Sequence, residues 1–360
     1  MTAFQKKKKI FFLQRVKTNL FSKDSIMKLN YLEKVLLLVN SILLTAQIIL
    51  MGTFGGFFTF PLFNLLVPII AFVNLVFVSY WLIKLKWPVL IFIFSLLIGF
   101  NQWGMLYKLP NNAVQVSKGL KVMSFNVRLF NRYEWIKSKD IPQKISSFIK
   151  TESPDIFCLQ EFAMEQSPEF SDYPYRFIEP SFKKGQNGLS IFSKFPLINN
   201  RVIKFDDSNN GAIYSDIVYK NDTLRMYNIH LESLRLNIKD TLFSQEHSLE
   251  FKNRIEQVML KQQFQMDQFE KVDKSNKYPA IVCTDLNNNA FSKVYSSLSK
   301  NHKDAFVEAG GGLGTTYKVA YFPFRIDFIF ADPKFELITF KTYQKSLSDH
   351  NPISATIDWK

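Results

Sequence analysis

The hydrophobic pattern divides the chain in two. Between Lys34 and Lys84 no residue is charged, a run of 49 positions, against the roughly 20 apolar residues that one membrane helix requires. The run holds Val35–Met51, a break marked by Gly52, Gly55, Gly56 and Pro61, and then Leu62–Ile83. After Lys84 and Lys86 a third uncharged stretch extends from Trp87 to Tyr107. The pattern predicts three transmembrane helices within residues 35–107, with polar Asn40 and Gln47 turned toward the other helices. A cleaved signal peptide has a single short apolar region near its start, which does not fit three segments. Lys6–Lys9, Arg15, Lys17, Lys23, Lys28 and Lys34 make residues 1–34 a basic tail. The positive-inside rule places that tail and the Lys84/Lys86 loop in the cytoplasm, and an odd number of crossings then puts the rest outside.

Residues 108–118 read as a linker. From there to residue 360 the texture changes to short β-rich runs separated by turns and polar helices. The strand candidates are LKVMSFNV, DIFCLQEF, GLSIFSKFPL, AIYSDIVYK, TLRMYNIHLES, PAIVCTDLN, RIDFIFAD and ISATIDW. Apolar Leu249, Ile255, Val258 and Met259 fall at helical spacing and predict a long helix over about 243–272, and a shorter one is expected over 142–150. Many strands with interspersed helices predict one α/β (α+β) domain built on a large sheet core.

Composition narrows the classes. With 47% hydrophobic residues and 37 Phe the chain is not disordered. Two cysteines without metal-ligand spacing exclude a disulfide scaffold and a zinc-thiolate site. Cys158 and Cys283 read as buried free thiols. The net charge of +14 suggests a nucleic-acid binder only until it is partitioned. Residues 1–108 hold 12 bases and two acids, a net of +10, which leaves +4 for residues 109–360. Most of the excess therefore belongs to the membrane flank.

Polar residues cluster where the predicted strands end: Asn126, Glu161, His230, Asp285, Asn287, Asp327 and the pair Asp349-His350. Strand ends and the loops after them are where open α/β sheets build sites. A Glu with one or two Asp suits a hard cation such as Mg²⁺ or Mn²⁺. Histidines stabilise or protonate a phosphoryl oxygen, and an Asp beside a His fixes its tautomer. Together they are the equipment for metal-assisted hydrolysis of a phosphate ester. GGGLGTT (Gly310–Thr316) lacks the GK[ST] ending of a P-loop and reads as a flexible loop near the site. His247 and His302 match no motif and read as surface residues.

The ordered set SFN, LQE, GLSIFSKFP, NIHLES, CTDLN, RIDFIF and SDHNPI resembles the endonuclease/exonuclease/phosphatase superfamily, which includes deoxyribonuclease I-like nucleases, abasic-site endonucleases, neutral sphingomyelinases and inositol polyphosphate 5-phosphatases. The resemblance covers about residues 119–360. It implies a four-layer α/β/β/α sandwich of two mixed sheets, here preceded by three transmembrane helices, as in a membrane-anchored bacterial branch of that family. It implies a multi-pass protein of the bacterial inner membrane with its catalytic domain outside the cytoplasm. By this resemblance Glu161 is the main metal-binding carboxylate, with Asn126 and Asp349 near the metal. His230 and His350 act on the phosphate, Asp285 orients or deprotonates the attacking water, Asn287 binds phosphate beside it, and Asp327 holds His350. Thr284 and Leu286 depart from the family's usual Gly and Phe around that Asp, and both fit a strand end. Arg128 is either a contact to substrate phosphate or a surface residue. The expected cofactor is Mg²⁺ (or Mn²⁺). The expected partners are a phosphate-ester substrate (nucleic acid or lipid headgroup) and the lipid bilayer, with no obligate protein partner evident. The alternatives are a phospholipid or sphingolipid phosphodiesterase, and a non-catalytic binding module on the same fold.

Overall fold

The computed structural model describes residues 5, 29–52, 61–109, 119–182, 187–206, 208–234, 245–319 and 322–359. Most of the expected basic tail and linker, the Gly55-Gly56 break and the side chain of His247 lie outside the described residues. The chain forms two compact units, Met1–Trp103 and Gly104–Lys360.

In the first unit, helix Tyr31–Leu50 opens with a capping box. Asn30 Oδ1 accepts from the Glu33 amide at 2.8 Å, and Glu33 Oε2 accepts from the Asn30 amide at 3.0 Å. This 20-residue helix is the one helix among the described residues long and apolar enough to cross a membrane. The expectation of three such helices is corrected. The second stretch is split into Pro61–Asn64 and the 17-residue helix Val67–Ile83, because Pro68 has no N–H to offer the carbonyl of Asn64. The third breaks at Gly99 into Val89–Ile98 and Phe100–Leu106, bent by 93°. Counted as one span, that pair would raise the number to two.

The unit is apolar outside and carries buried amides among apolar residues inside. Leu38, Ile42, Phe72, Leu75 and Val76 are exposed, whereas Asn40, Gln47 and Asn74 are buried. Asn40 Nδ2 donates to Asn74 Oδ1 (3.1 Å), Asn74 Nδ2 to Gln47 Oε1 (2.7 Å) and Trp81 Nε1 to Asn40 Oδ1 (3.2 Å). Asn40 and Gln47 thus face a neighbouring helix, as the sequence predicts.

The second unit holds two six-stranded mixed sheets. One runs in the order β13 (Phe335–Thr342), β14 (Ile353–Trp359), β1 (Leu120–Asn126), β2 (Ile156–Phe162), β4 (Gly188–Ser193), β3 (Tyr175–Glu179). The other runs β5 (Leu197–Lys204), β6 (Gly211–Tyr219), β7 (Asp222–His230), β8 (Ala280–Asp285), β12 (Asp327–Ala331), β9 (Lys303–Asp304). A small hairpin pairs β10 (Tyr317–Val319) with β11 (Phe322–Phe324). Among the described strands only β1–β2 and β7–β8 are parallel, at the middle of each sheet.

Alternation along these strands builds three cores. Val122, Cys158 and Ile191 of the first sheet meet Ile213, Met226, Ile281 and Cys283 of the second, so inward positions close the sandwich. Both cysteines are free and buried. The intervening Met123, Phe125, Phe157 and Leu159 point outward under helix Ile141–Glu152, which contributes Ile141, Ile145, Phe148 and Ile149. On the other side Tyr227, Ile229, Val282 and Phe330 are covered by Met266 and Phe269 of the long helix Gln245–Asp273. Strands covered on both faces read as unbroken apolar runs. Leu249, expected on the apolar face of the long helix, is exposed. The covered stripe is Ile255, Met259, Gln262, Met266 and Phe269, spaced by four and three. His302, expected at the surface, is buried with Nε2 3.8 Å from Asp273 Oδ2.

Candidate active site

The carboxyl ends of the two parallel strand pairs meet at one rim of the sandwich. In the first sheet β1 ends in Asn126 and β2 carries Glu161. In the second β7 ends in His230 and β8 in Asp285, which stand opposite one another in register. Glu161 sits where the β2–β4 register shifts, with φ of 49°. A bulge of this kind re-aims one side chain out of the alternation. Asn287 also has φ of 49°, just past β8. Left-handed backbone at residues that carry chemistry is where folds store strain.

The contacts are short. Asn126 Nδ2 donates to Asp285 Oδ2 (2.9 Å) and to Glu161 Oε1 (3.2 Å), tying the two sheets together at the site. His230 Nε2 lies 3.7 Å from Asp285 Oδ2 and 4.0 Å from Glu161 Oε1. His350 Nε2 lies 3.8 Å from the same Asp285 oxygen. On its other side His350 Nδ1 meets Asp327 Oδ2 at 2.9 Å and Oδ1 at 3.1 Å. The Asp327 and Ile326 amides both donate to Thr316 Oγ1, at 3.1 and 3.0 Å. The glycine-rich loop therefore ends in a buried residue that fixes Asp327. Buried Asp285, Asp327 and His350 offer ligand atoms all within 4.8 Å of one another.

Electrostatics follows from this packing. Burial, joined by the charge of Asp327, pushes the Asp285 carboxyl above the usual range. Burial by itself would pull His350 down, but the negative charges of Asp327 and Asp285 outweigh it and lift the imidazole to about 10. Burial and then Asp349 raise the Tyr317 phenol, which also senses Asp285 and Glu161.

Among the residues marked from sequence, the structure brings Asn126, Glu161, His230, Asp285, Asp327 and His350 together. Asn287 lies beside them, its amide donating to Asp285 Oδ1 at 2.8 Å and its side chain to the Leu231 carbonyl at 3.0 Å. Asn126 presents nitrogen, not oxygen, to the carboxylates, because its Oδ1 accepts from the Arg128 amide at 3.0 Å. Asp349 is turned to Arg128, whose Nε is 3.4 Å from Asp349 Oδ2. Arg128 is thereby joined to the cluster, and it also stacks 4.2 Å from the centre of the Trp135 ring.

Sequence reasoning placed the Gly310–Thr316 loop near the site but missed the role of Thr316, Tyr317 and a polar strut beneath the site. The Tyr317 ring packs 4.9 Å from that of His350. In the strut, Gln160 Nε2 donates to Asn228 Oδ1 (2.7 Å) and to Ser124 Oγ (3.1 Å). Asn228 Nδ2, from the second sheet, donates to the Leu159 and Ser190 carbonyls of the first at 2.9 Å. Amides inside apolar strand runs at Gln160 and Asn228 were the available signal.

The donor set fits a divalent cation. It is rich in carboxylate oxygen and imidazole, and buried His230 Nε2, aimed at Glu161 and Asp285, has no hydrogen-bond partner.

The comparisons agree with this architecture. The human nocturnin catalytic domain with bound sulfate anion matches with TM-score 0.51 and 18% identity, covering 69% of this chain and 96% of that one. An endonuclease/exonuclease/phosphatase from Bacteroides vulgatus matches with TM-score 0.50 and 18% identity, covering 68% and 100%. One from Beutenbergia cavernae matches with TM-score 0.51 and 14% identity, covering 67% and 72%. At such identities the likeness concerns the fold. No curated protein matches the chain. The family model described as the endonuclease/exonuclease/phosphatase family matches residues 123–350, a span from β1 to His350 that takes in every residue of the cluster, and the chain belongs to that family.

Proposed function

We propose that the protein is a membrane-anchored, divalent-metal-dependent phosphoesterase that hydrolyses phosphodiester bonds. The observation that carries this reading is the convergence of Glu161, His230, Asp285 and His350 within 4.0 Å contacts at one rim. Glu161, with Asp285 or Asp349 as a second oxygen donor, would hold Mg²⁺ or Mn²⁺. Bound there, the cation supplies charge neutralisation at the phosphoryl oxygens. Asp285, whose raised affinity for protons suits a base, orients water and takes its proton as the oxygen attacks phosphorus. His350, protonated at neutral pH and held through Nδ1 by Asp327, donates from Nε2 to a phosphoryl oxygen. His230 Nε2, its partner position open, protonates the leaving oxygen. Arg128 and Asn287 position the phosphate.

The first unit supports anchoring, since large apolar side chains such as Leu38, Ile42, Phe72 and Leu75 are exposed while its amides are buried. By the positive-inside rule the basic tail favours a cytoplasmic N-terminus, and an odd number of crossings would put the catalytic unit on the other side. A C-terminal alkaline phosphatase fusion that is inactive, beside a fluorescent fusion that is bright, would reject that placement. Tethering at a bilayer also favours a second reading, a lipid headgroup as substrate.

The test uses the full chain in detergent with bis(p-nitrophenyl) phosphate. Mg²⁺-dependent release of nitrophenolate is expected, abolished by EDTA and reduced on the order of a hundredfold or more by Glu161→Ala or His350→Ala. Activity that survives all three treatments overturns the reading.

A further inference from the structure

Residues 127–138, between β1 and helix Ile141–Glu152, carry, besides Arg128, side chains that hydrolysis itself does not use. Arg128, Leu129, Phe130 and Asn131 follow one another in the left-handed region, with φ of 45°, 52°, 52° and 64°. For residues with a Cβ that conformation is costly, so the segment must be held by its surroundings. Leu129 and Phe130 are buried in the outer core, with the Phe130 ring edge-on to Phe162 at 5.4 Å. Asn131 closes the loop, donating to the Ile136 and Ser138 carbonyls (2.8 and 3.1 Å) and accepting from the Ile136 amide (2.9 Å). What this fixed loop displays is a pair of aromatic rings. Tyr133 is 61% exposed and Trp135 43%, and the two meet edge-to-face with centres 5.2 Å apart. The Arg128 guanidinium lies 4.2 Å from the Trp135 ring centre, and its Nε reaches Asp349, the neighbour of His350.

We propose that Tyr133 and Trp135 form a stacking platform for a base of single-stranded nucleic acid, adjoining the phosphate that Arg128 presents to the catalytic cluster. The inference rests on the phosphoesterase reading and deepens it by naming the substrate class. Three observations favour this ligand. The rings are planar and exposed on a loop that Asn131 holds closed, so ordering that loop on binding costs little. Cations interleave with them: Arg128 and Arg132, paired with Asp349 and Glu165, and the exposed Lys137 and Lys139. Aromatic faces among cations are the pattern that binds unpaired bases and tracks their backbone. Finally, the guanidinium that covers part of Trp135 turns inward to the catalytic acids. A loop built to enter a bilayer projects its rings away from such charge. Bases in a duplex have no free face, so the platform selects single strands or frayed ends.

The experiment compares two oligomers of equal charge on the full chain in detergent with Mg²⁺: six thymidine nucleotides, and six abasic tetrahydrofuran residues. The thymidine oligomer is expected to be cleaved with kcat/KM roughly five- to 150-fold higher, the range for one stacked base. Trp135→Ala and Tyr133→Ala are expected to shrink that ratio toward one, and Trp135→Phe to keep most of it. Equal cleavage of both oligomers by the unsubstituted chain, with bis(p-nitrophenyl) phosphate still hydrolysed, overturns the platform and leaves the phosphoesterase standing. If nothing is hydrolysed the phosphoesterase reading falls, and the platform is then judged by binding. Quenching of Trp135 emission, taken as the difference from Trp135→Phe, must be stronger with the thymidine oligomer, and equal quenching overturns it. In phosphatidylcholine nanodiscs without oligonucleotide, shielding of Trp135 from acrylamide by the bilayer also overturns it, in favour of a lipid surface.

Discussion

Replacing Asp327 with Asn tests the electrostatics of the cluster with almost no change of shape. Asn keeps an oxygen that can accept from His350 Nδ1, now 2.9 Å from a carboxylate, but removes the negative charge. His350 stands at about 10 against 6.5 for an ordinary imidazole, although burial opposes the shift. At 1.36 kcal/mol per unit the net preference for imidazolium is about 5 kcal/mol, of which Asp327 is the leading favourable source. In EDTA-treated Asp327→Asn, NMR titration of the ring is expected to place His350 well below its value in the unsubstituted protein. Stability follows by linkage. A histidine raised above its unfolded value contributes fully below pH 6.5, and that contribution is lost as pH rises through about 10. Denaturant unfolding of the unsubstituted protein should therefore lose several kcal/mol across that window, while Asp327→Asn should lose much less. With Mg²⁺ restored, its turnover is expected to fall roughly a hundredfold or more with KM little changed, as for removal of a positioned acid–base pair. A His350 that titrates within one unit of the same pH in both proteins would refute the reasoning.

Asn126→Ala removes the donor shared by Glu161 and Asp285 and is expected to weaken Mg²⁺ or Mn²⁺ binding about ten- to a hundredfold, measured by calorimetry. Asp304→Asn strands the Arg325 guanidinium, which donates to Asp304 Oδ2 at 2.6 Å between the rings of Phe306 and Phe328. A loss of about 3–5 kcal/mol in urea unfolding is expected, and a change under 1 kcal/mol would show that the pair is dispensable. Asn74→Leu cuts the amide chain between the two apolar helices. It is expected to cost about 1 kcal/mol in detergent unfolding followed by tryptophan emission, whereas a stabilised protein would contradict the role given to that chain.

The strands that sequence reveals are those covered on both faces: β1, β2, β4, β6, β7, β8, β12 and β14. The ones it misses are the short β10–β11 hairpin and the edges. β3 and β13 flank the first sheet, and β5 and β9 flank the second. Half-exposed and carrying charges, as in Glu336 and Lys341 of β13 or Arg201 and Lys204 of β5, they offer no unbroken apolar run. Charged edges also discourage pairing with other chains. The site was legible because its polar residues interrupt apolar strand ends, which placed Asn126, His230 and Asp285 correctly on their strands. Orientation was not legible. The amide face that Asn126 presents, and the turn of Asp349 toward Arg128, depend on partners distant in the chain. The charge-free stretches of the first unit show the converse limit, since their length does not reveal where Pro68 and Gly99 interrupt helices.

The Gln160–Asn228 strut sits just below the reacting groups and spans the gap between the sheets. It acts as a gauge block for the sheet-borne part of the cluster: buried amides hold β2, which carries Glu161, at a fixed spacing from β7, which ends in His230. The loops at the rim set the remainder, through Thr316 on Asp327 and Arg128 on Asp349 beside His350. Wear on the gauge, through a change at Asn228 alone, would surface as failed chemistry in a protein whose visible working parts are all intact.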